Sequence, residues 1–219
     1  MIVAIDGPAG VGKSTIAKRI ADTCGFFFVN SGNFYRAITY KHILQGKDLF
    51  DKRSLIQTAE NSSLCIEHGK LMLDGANVEG KLHTDVIDAH VARISAIKPI
   101  RICVNKALQE SANQTNIIME GRDITTVVFP DAELKVYLDA SIEIRAKRRY
   151  KQQETALSLE DIEKEIEKRD KIDEGKEFGA LRVSDDVEYI DTSYLTIDAV
   201  CEKVVKKIIN LRKNTDQER

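Results

Sequence analysis

Paired cysteines and paired histidines are what this sequence most plainly lacks. Its four cysteines form no CxxC motif and no Cys/His spacing typical of a zinc site, so we predict neither disulfides nor a structural metal. Its four histidines have no nearby partner at the spacing of a metal site or a catalytic triad, so we predict no catalytic role for them. They are His42, His68, His83 and His90.

An excess of charge of one sign is also missing. The formal net charge is −2, and the basic residues are dispersed along the chain. This pattern argues against a nucleic-acid groove and against a membrane-binding face. The apolar start, residues 1–5, is too short for a signal peptide or a membrane span. We therefore expect a cytoplasmic protein, monomeric, that binds neither nucleic acid nor membrane.

Five short apolar runs alternate with stretches of helical periodicity, as is typical of a doubly wound parallel sheet. The runs are residues 2–5, 26–29, 117–119, 134–138 and 187–190. The 219 residues can form one core with inserted lobes. The predicted fold is thus α/β, with a doubly wound, five-stranded parallel sheet.

Two segments interrupt this alternation. Residues 64–80 alternate and turn quickly, which predicts a small antiparallel sheet. Residues 151–177 are dense in charge with a thin apolar stripe, which predicts a helical lid standing off the body. Residues 197–209 should form a last helix, with fraying after Leu211. The predicted division is core 1–36, lobe 37–100, core 101–150, lid 151–178, and core with C-terminal helix 179–219.

A phosphate-binding motif lies between the first predicted strand and the first helix. Gly7-Pro8-Ala9-Gly10-Val11-Gly12-Lys13-Ser14 fits G-x-x-x-x-G-K-[ST] and is followed by Thr15. The glycines let backbone N–H groups point at phosphate oxygens, and the helix adds its positive end. Lys13 neutralises the β and γ phosphates, while the Ser14 hydroxyl binds Mg²⁺. We therefore predict ATP with Mg²⁺ as the donor.

Two further motifs bear on the acceptor, which the phosphate loop leaves open as water, a protein or a small molecule. Ser31-Gly32-Asn33-Phe34-Tyr35-Arg36 follows the second strand, and Glu120-Gly121-Arg122-Asp123 follows the third. In a doubly wound sheet both positions face the binding edge. Either motif alone could be a surface turn with a salt bridge. Two arginines beside one phosphate loop favour a phosphorylated acceptor.

Together these motifs resemble those of the bacterial cytidylate kinase family of nucleoside monophosphate kinases, over nearly the whole chain. The resemblance also includes Ile124, residues 126–130, residues 145–149 and residues 190–193. It implies a core sheet, an enlarged monophosphate-binding lobe with a small sheet, and a closing lid. It implies as substrates CMP and dCMP with ATP. The alternatives are another small acceptor such as UMP, AMP or shikimate, or a nucleotide-hydrolysing switch.

The resemblance also assigns residues by position. Arg36 and Arg122 resemble the clamp on the acceptor phosphate, and Arg101 and Asp123 resemble the readers of cytosine. Ser31 and Tyr35 resemble residues beside the acceptor phosphate and sugar. Arg169 and Asp173 resemble the pair that reaches the ribose, although an i,i+4 salt bridge is the alternative. Arg145 is the candidate for stacking on adenine, and Arg149 for reaching the phosphates, although residues 145–149 could instead be a solvated basic face.

Several positions depart from the family pattern. Asn30 stands in place of an Asp, Ala92 in place of a base-contacting Ser, and Thr125 in place of a loop Gly. In the lid, Ile172 and Lys176 replace arginines, and residues 179–181, Gly-Ala-Leu, replace Ala-Pro-Leu. Lys supplies charge without a bidentate fork, so we expect weaker lid closure or turnover. Loss of the Ser hydroxyl weakens the expected discrimination against UMP.

Overall fold

The computed structural model describes residues 1–112, 116–152 and 157–217. Within these residues the strands are β1 Ile2–Asp6, β2 Phe27–Asn30, β3 Leu64–Glu67, β4 Lys70–Leu73, β5 Ala76–Asn77, β6 Ile117–Gly121, β7 Leu134–Asp139 and β8 Glu188–Asp191. The α-helices are α1 Lys13–Cys24, α2 Ser31–Leu44, α3 Lys52–Glu60, α4 Asp85–Ile94, α5 Lys98–Ser111, α6 Ile142–Gln152, α7 Leu159–Glu174 and α8 Ile197–Gln217.

The central sheet has the strand order β2-β6-β1-β7-β8, with every pairing parallel. Its five strands are the five apolar runs of the sequence, so the predicted fold class is confirmed. Because the strands are parallel, their carboxyl ends share one edge. The phosphate loop leaves that edge after β1, and the two arginine motifs leave it after β2 and β6.

Both faces of the sheet are covered by helices. Along β1, Val3 and Ile5 pack into a core with α1 and α8, whereas Ala4 packs into a second core with α2 and α5. All three side chains are fully buried. A strand buried on both faces needs apolar residues throughout, which is why these strands appear as continuous apolar runs.

The helix after β2 starts earlier than its apolar periodicity indicated. We expected it from residue 34, but α2 begins at Ser31, directly after β2. Its amino end therefore lies at the binding edge, with Ser31 and Gly32 in the first turn. Asn30 occupies the N-cap position without a side-chain capping bond. The unpaired N–H groups of such an end favour an anion.

The second, smaller sheet has the order β3-β4-β5 and is antiparallel, as the sequence predicted. Its two tight turns use residues in the left-handed region, His68 and Gly69 in one and Asp74 and Gly75 in the other. Leu71 and Leu73 of β4 are buried in the core that also contains α2 and α5. The small sheet is therefore packed onto the main body.

The charged segment does not stand off the body, contrary to our expectation. Helix α7 packs against α6, and its Ile162 and Ile166 are fully buried together with Ala146 of α6 and Ala9 of the phosphate loop. The apolar stripe of α7 is narrow because only this side of the helix contacts α6 and the phosphate loop. Part of the predicted lid, residues 153–156, lies outside the described residues.

The last helix is longer than predicted. We expected residues 197–209 with fraying after Leu211, but α8 continues to Gln217. Its apolar stripe, which includes Val200, Val204 and Ile208, packs on the sheet face that also carries α1. Once this stripe anchors the helix, the polar residues that follow extend it at little cost.

Candidate active site

A cavity of about 640 Å³ lies at the carboxyl edge of the central sheet. The phosphate loop, the first turns of α1 and α2 and the end of β6 line it on one side. Helices α4, α5, α6 and α7 and several residues between 192 and 200 also line it. Its volume is in the range of small-molecule sites. The donor motif and both arginine motifs therefore meet in one cavity.

Most of the predicted site residues line this cavity. They are Ala9, Gly10, Val11, Gly12, Lys13, Ser14, Thr15, Ser31, Tyr35, Arg36, Arg101, Arg122, Asp123, Arg149, Arg169 and Asp173. Gly7, Pro8 and Arg145 lie behind its surface. The fold thus brings residues that are far apart in the sequence, such as Ala9 and Asp173, into one cavity.

The phosphate loop depends on glycine at defined positions. Gly10 and Gly12 have φ values of 76° and 97°, a backbone conformation that is unfavourable for residues with a Cβ atom. Gly7 lies against β7, where an added Cβ would come within 2.2 Å of the Leu138 carbonyl oxygen. The loop then leads into α1, whose amino end lies at the cavity. This geometry suits an anion held by backbone N–H groups.

Lys13 is held by its own loop. Its Nζ donates to the carbonyl oxygens of Gly7 and Pro8, both at 2.7 Å, and its side chain is buried. Burial, and then the neighbouring charge of Arg122, lower the pKa of Lys13 to about 7. An anion bound beside it would favour the charged form and raise that pKa again.

Ser14 lies next to a buried carboxylate. Its Oγ donates to Oε1 of Glu120 at 2.7 Å, and Nδ2 of Asn30 donates to the same Oγ at 3.5 Å. Glu120 is the last residue but one of β6. A hydroxyl and a carboxylate are oxygen ligands of the kind that Mg²⁺ prefers, so these residues fit a magnesium ion.

Asp6 connects the end of β1, which leads into the phosphate loop, to the segment that follows β6. From the end of β1 it accepts hydrogen bonds from the N–H groups of Ile124 and Thr125 and from the Thr125 hydroxyl, at 2.7–3.0 Å. Burial raises the pKa of Asp6 to about 6 although these hydrogen bonds oppose the shift. Thr125 supplies two of the three bonds, and its hydroxyl, which a Gly at this position would lack, supplies one of these two.

Arg36, Arg122 and Arg169 line the cavity where an acceptor anion would bind. Two of them form ion pairs with carboxylates. Arg36 pairs with Asp88 at 2.5 Å, and Arg122 Nε donates to Asp173 at 2.7 Å. Burial, and then repulsion by Arg122, lower the pKa of Arg169 to about 10. Such mutual repulsion is relieved when an anion binds between the guanidinium groups.

Arg101 and Asp123 form a buried ion pair at the cavity wall. The Nη2–Oδ2 distance is 2.5 Å, and Nη1 of Arg101 also donates to the Ser95 carbonyl oxygen at 2.8 Å. Arg101 Nε is buried without a partner among the described residues. The guanidinium lies 5.3 Å from the centroid of the Tyr35 ring. A flat wall with donors and a carboxylate suits a heteroaromatic base.

Gly179 covers this ion pair with bare backbone. Its φ is +70°, and an added Cβ would come within 2.3 Å of Asp123 Oδ2 and 2.5 Å of Arg101 Nε. The replacement of the family's Ala by Gly therefore lets residues after α7 approach the Arg101–Asp123 pair closely.

Helix α7 contacts both halves of the cavity through carboxylates. Asp170 Oδ1 accepts from the Ala9 N–H at 2.9 Å, and its Oδ2 pairs with Arg145. One turn later, buried Asp173 pairs with Arg122 and with Lys176 Nζ, each at 2.7 Å. These cations hold the pKa of Asp173 far below its ordinary value although burial alone would raise it. Asp173 is therefore ionised.

The arginines of α6 are not all positioned as we expected. Arg145 is buried and donates to the carbonyl oxygens of Ala9 and Ala140, so it braces the phosphate loop. Arg148 instead lines the cavity, donating to the Thr192 hydroxyl and carbonyl at 2.9 and 2.6 Å. Arg149 also lines the cavity and lies 3.5 Å from Glu165.

Several residues of the site were not identified from sequence. Glu120 lies inside a recognised motif, and its position directly after the apolar run 117–119 could have marked it. Asp170 lies beside Arg169 in a helix dense in charge, which hides it. No motif marks His83 or the residues around the start of α8, which are Leu195, Thr196 and Ile197. Of the departures, Ile172 does not line this cavity, whereas Lys176 does.

None of the helices in residues 1–112, 116–152 and 157–217 combines the length and apolarity needed to cross a membrane. Over the same ranges, no three His, Cys, Asp or Glu side chains are grouped so that they could hold a metal ion by themselves.

Comparison with known proteins identifies the family. A family model described as cytidylate kinase matches residues 3–210. A cytidylate kinase of Borrelia hermsii is 42% identical over 97% of this chain and 100% of its own length. Cytidylate kinase 1 of Borreliella afzelii is 42% identical over 97% and 98%. A gluconokinase structure from Sinorhizobium meliloti has a TM-score of 0.53 at 12% identity, covering 99% and 96%, a likeness of fold alone. The predicted resemblance is confirmed, and the chain belongs to the cytidylate kinase family.

Proposed function

We propose that this protein transfers the γ-phosphoryl group of Mg-ATP to CMP and to dCMP, giving ADP with CDP or dCDP. The observation that best supports this is the buried Arg101–Asp123 pair, which shares one cavity with the phosphate loop and three arginines. A phosphate clamp beside a base-reading wall fits a nucleoside monophosphate as acceptor. Water, the acceptor of a nucleotide-hydrolysing switch, would need neither.

On the donor side, the phosphate loop and Lys13 bind the ATP phosphates. Ser14 and Glu120 are placed to hold Mg²⁺. When bound, the metal draws charge from the phosphates during transfer. We assign the adenine contact to Arg148, because Arg145 is buried behind the loop and Arg148 lines the cavity near Leu195 and Ile197. Arg149 is then available for the phosphates.

On the acceptor side, Arg36, Arg122 and Arg169 bind the CMP phosphate, with Ser31 and Tyr35 beside the phosphate and sugar. Asp123 accepts a hydrogen bond from the exocyclic amino group of cytosine, and Arg101 fixes that carboxylate. Uracil presents a carbonyl at this place, so two acceptors would face each other and UMP is disfavoured. Asp173 reaches the ribose from α7.

Transfer then needs alignment rather than proton abstraction. The attacking phosphate oxygen of CMP is already ionised near neutral pH, so no general base is required. The arginines neutralise the two phosphates, which would otherwise repel each other, and hold them in line. Because Asp173 already pairs with Arg122, binding of the acceptor phosphate to Arg122 requires these partners to rearrange.

The proposed division of labour follows the predicted segments. Residues 37–100 bind the monophosphate, and residues 151–178 close over both nucleotides and keep water out. The contact of α4 with α7 supports this, because it joins the two segments across the cavity. Monomeric state and cytoplasmic location stay predictions.

A coupled assay of ADP release tests this function. Purified protein with Mg-ATP is given CMP, dCMP, UMP, AMP or shikimate in turn, and the product is checked by chromatography. We expect fast ADP release with CMP, formation of CDP and little release without acceptor. ADP release that is independent of every acceptor would indicate a hydrolase and would exclude the proposal. A higher kcat/KM for UMP or AMP than for CMP would move the assignment to that nucleotide.

A further inference from the structure

His83 lines the active-site cavity but has no task in the assignments above. It lies just before α4 and follows Leu82, whose carbonyl oxygen accepts a hydrogen bond from Arg36 at 3.4 Å. Within the described part of the chain, neither of its ring nitrogens has a hydrogen-bond partner. By contrast, His42 bonds to Thr58 and Asp48 through both nitrogens. An exposed, unpartnered imidazole in a binding cavity is available to a ligand.

The charged groups that act on His83 come from two elements. Arg36 extends from α2 and Asp88 from α4, and these two residues form an ion pair at 2.5 Å. Arg169 of α7 lies within the influence of the same Arg36 and Asp88, on the next part of the cavity wall. His83 therefore stands at the edge of the cluster that would bind the acceptor phosphate.

Without an anion, these surroundings favour the neutral imidazole. Partial burial of the ring, and then the positive charge of Arg36, lower the pKa of His83 below its ordinary value, although Asp88 opposes the shift. A phosphate group bound by Arg36 would bring about two negative charges near the ring. Its field acts in the opposite direction and favours the imidazolium.

We propose that His83 is a further ligand of the acceptor phosphate, one that takes up a proton from solvent when the acceptor binds. The imidazolium then donates a hydrogen bond to a phosphate oxygen beside Arg36. The proton returns to solvent when the nucleotide leaves, so the net reaction is unchanged. This inference rests on the proposed function, because it requires a phosphomonoester acceptor.

The sign of the pH dependence follows from linkage. If the pKa of His83 is higher in the complex than in the free protein, acceptor binding takes up protons and is favoured by lower pH. The acceptor's own phosphate titrates near pH 6 and acts in the opposite direction. That contribution is the same for every variant, so it cancels in the ratio of dissociation constants between a variant and the wild type.

The test is calorimetry of CMP binding to the full chain between about pH 6 and pH 8.5, in buffers of different ionisation enthalpy. The variants are His83→Gln, which cannot take up the proton, and His83→Arg, which carries a fixed charge. His90→Gln is the matched control, because His90 lies on α4 outside the cavity and bonds only to the Val86 carbonyl among the described residues.

We expect His83→Gln to weaken CMP binding roughly three- to tenfold near pH 6.5 and little near pH 8.5. Its proton uptake should be smaller than that of the wild type by a measurable fraction of one proton. His83→Arg should bind CMP tightly with a smaller proton uptake, and His90→Gln should match the wild type. ATP binding should be unchanged in all three variants.

Two results would overturn the inference. One is equal proton uptake in wild type and His83→Gln; the other is a loss of CMP affinity that is the same at every pH, which would mean a contact without titration. If the wild type binds ATP but not CMP at any pH, the proposed function itself fails, and this outcome is distinguishable because it does not depend on the variants.

Discussion

The two halves of the cavity are constructed differently. The donor half is a continuous segment, residues 7–15, in which backbone N–H groups and glycine conformations define the site. The acceptor half assembles side chains from α2, α5, α7 and the end of β6, and several of its cations already hold a carboxylate. A backbone site is defined locally, whereas a side-chain site depends on the packing of distant elements.

This difference has an energetic reason. Backbone N–H groups carry no net charge, so a loop can present several of them without repulsion. Guanidinium groups gathered in one place repel one another, and this repulsion adds to the effect of burial in lowering the pKa of Arg169. Carboxylates such as Asp88 and Asp173 offset that repulsion, and under the proposed function their ion pairs would rearrange when the acceptor phosphate binds.

The largest effect is expected for Lys13→Ala, which removes the buried side-chain cation of the donor half. Transfer should fall about 10²- to 10³-fold in kcat, because charge that develops at the phosphates loses a fixed partner. Lys18→Ala, on the exposed face of the same helix, is the control and should retain activity. Near-normal kcat in folded Lys13→Ala would refute the donor assignment.

Asp123→Asn tests the acceptor half, where one side chain should decide the base. CMP loses a charge-assisted hydrogen bond of roughly 1.5–3 kcal/mol, so its kcat/KM should fall about ten- to a hundredfold. The amide can donate to the uracil carbonyl, so UMP should lose less. The measurement is kcat/KM for both nucleotides at one Mg-ATP concentration. An equal decline for CMP and UMP would make Asp123 structural, with its buried partner Arg101 as the reason.

Gly179→Ala tests whether the backbone conformation at Gly179 is needed for the close packing against Arg101 and Asp123. The left-handed φ and the contact with Asp123 should together reduce the free energy of unfolding by about 1–3 kcal/mol and weaken CMP binding more than ATP binding. Gly46→Ala is the matched control, since Gly46 has a similar φ of +63° but open space around its Cα. Denaturant unfolding and calorimetry measure the two effects. If both variants behave alike, the contact contributes nothing.

The smallest effect is expected for Thr125→Val, at the bond between the halves. Removing the hydroxyl raises the pKa of Asp6 further, since that hydrogen bond stabilises the ionised carboxylate. The variant should therefore lose about 1 kcal/mol of unfolding free energy above pH 6, and less as the pH falls and Asp6 becomes protonated.

Thr126→Val is the control for this pair. The Thr126 hydroxyl is buried without a partner in the described part of the chain, so its removal should cost nothing. Denaturant unfolding at several pH values would show the contrast. A cost for Thr125→Val that does not change with pH would mean that the hydroxyl does not act through the charge of Asp6.

Sequence patterns located the phosphate loop and the five strands of the central sheet, because each of these is a run of contiguous residues. They assigned the acceptor residues only through resemblance, since no local pattern shows that Arg101 meets Asp123. Arg145 and Arg148 are both basic residues of one helix, and only packing reveals that Arg145 is buried behind the loop. A lone histidine such as His83 has no pattern at all.

Two carboxylates of α7, Asp170 and Asp173, contact different parts of the cavity wall at a fixed spacing along the helix. Asp170 touches the donor loop at Ala9, and Asp173 touches the acceptor clamp at Arg122. Three residues advance a helix by about 4.5 Å, so one turn sets the offset between the two contacts. A residue inserted between them would rotate one carboxylate by about 100° away from its partner. The helical register of α7 therefore sets the offset between its contact with the phosphate loop and its contact with Arg122.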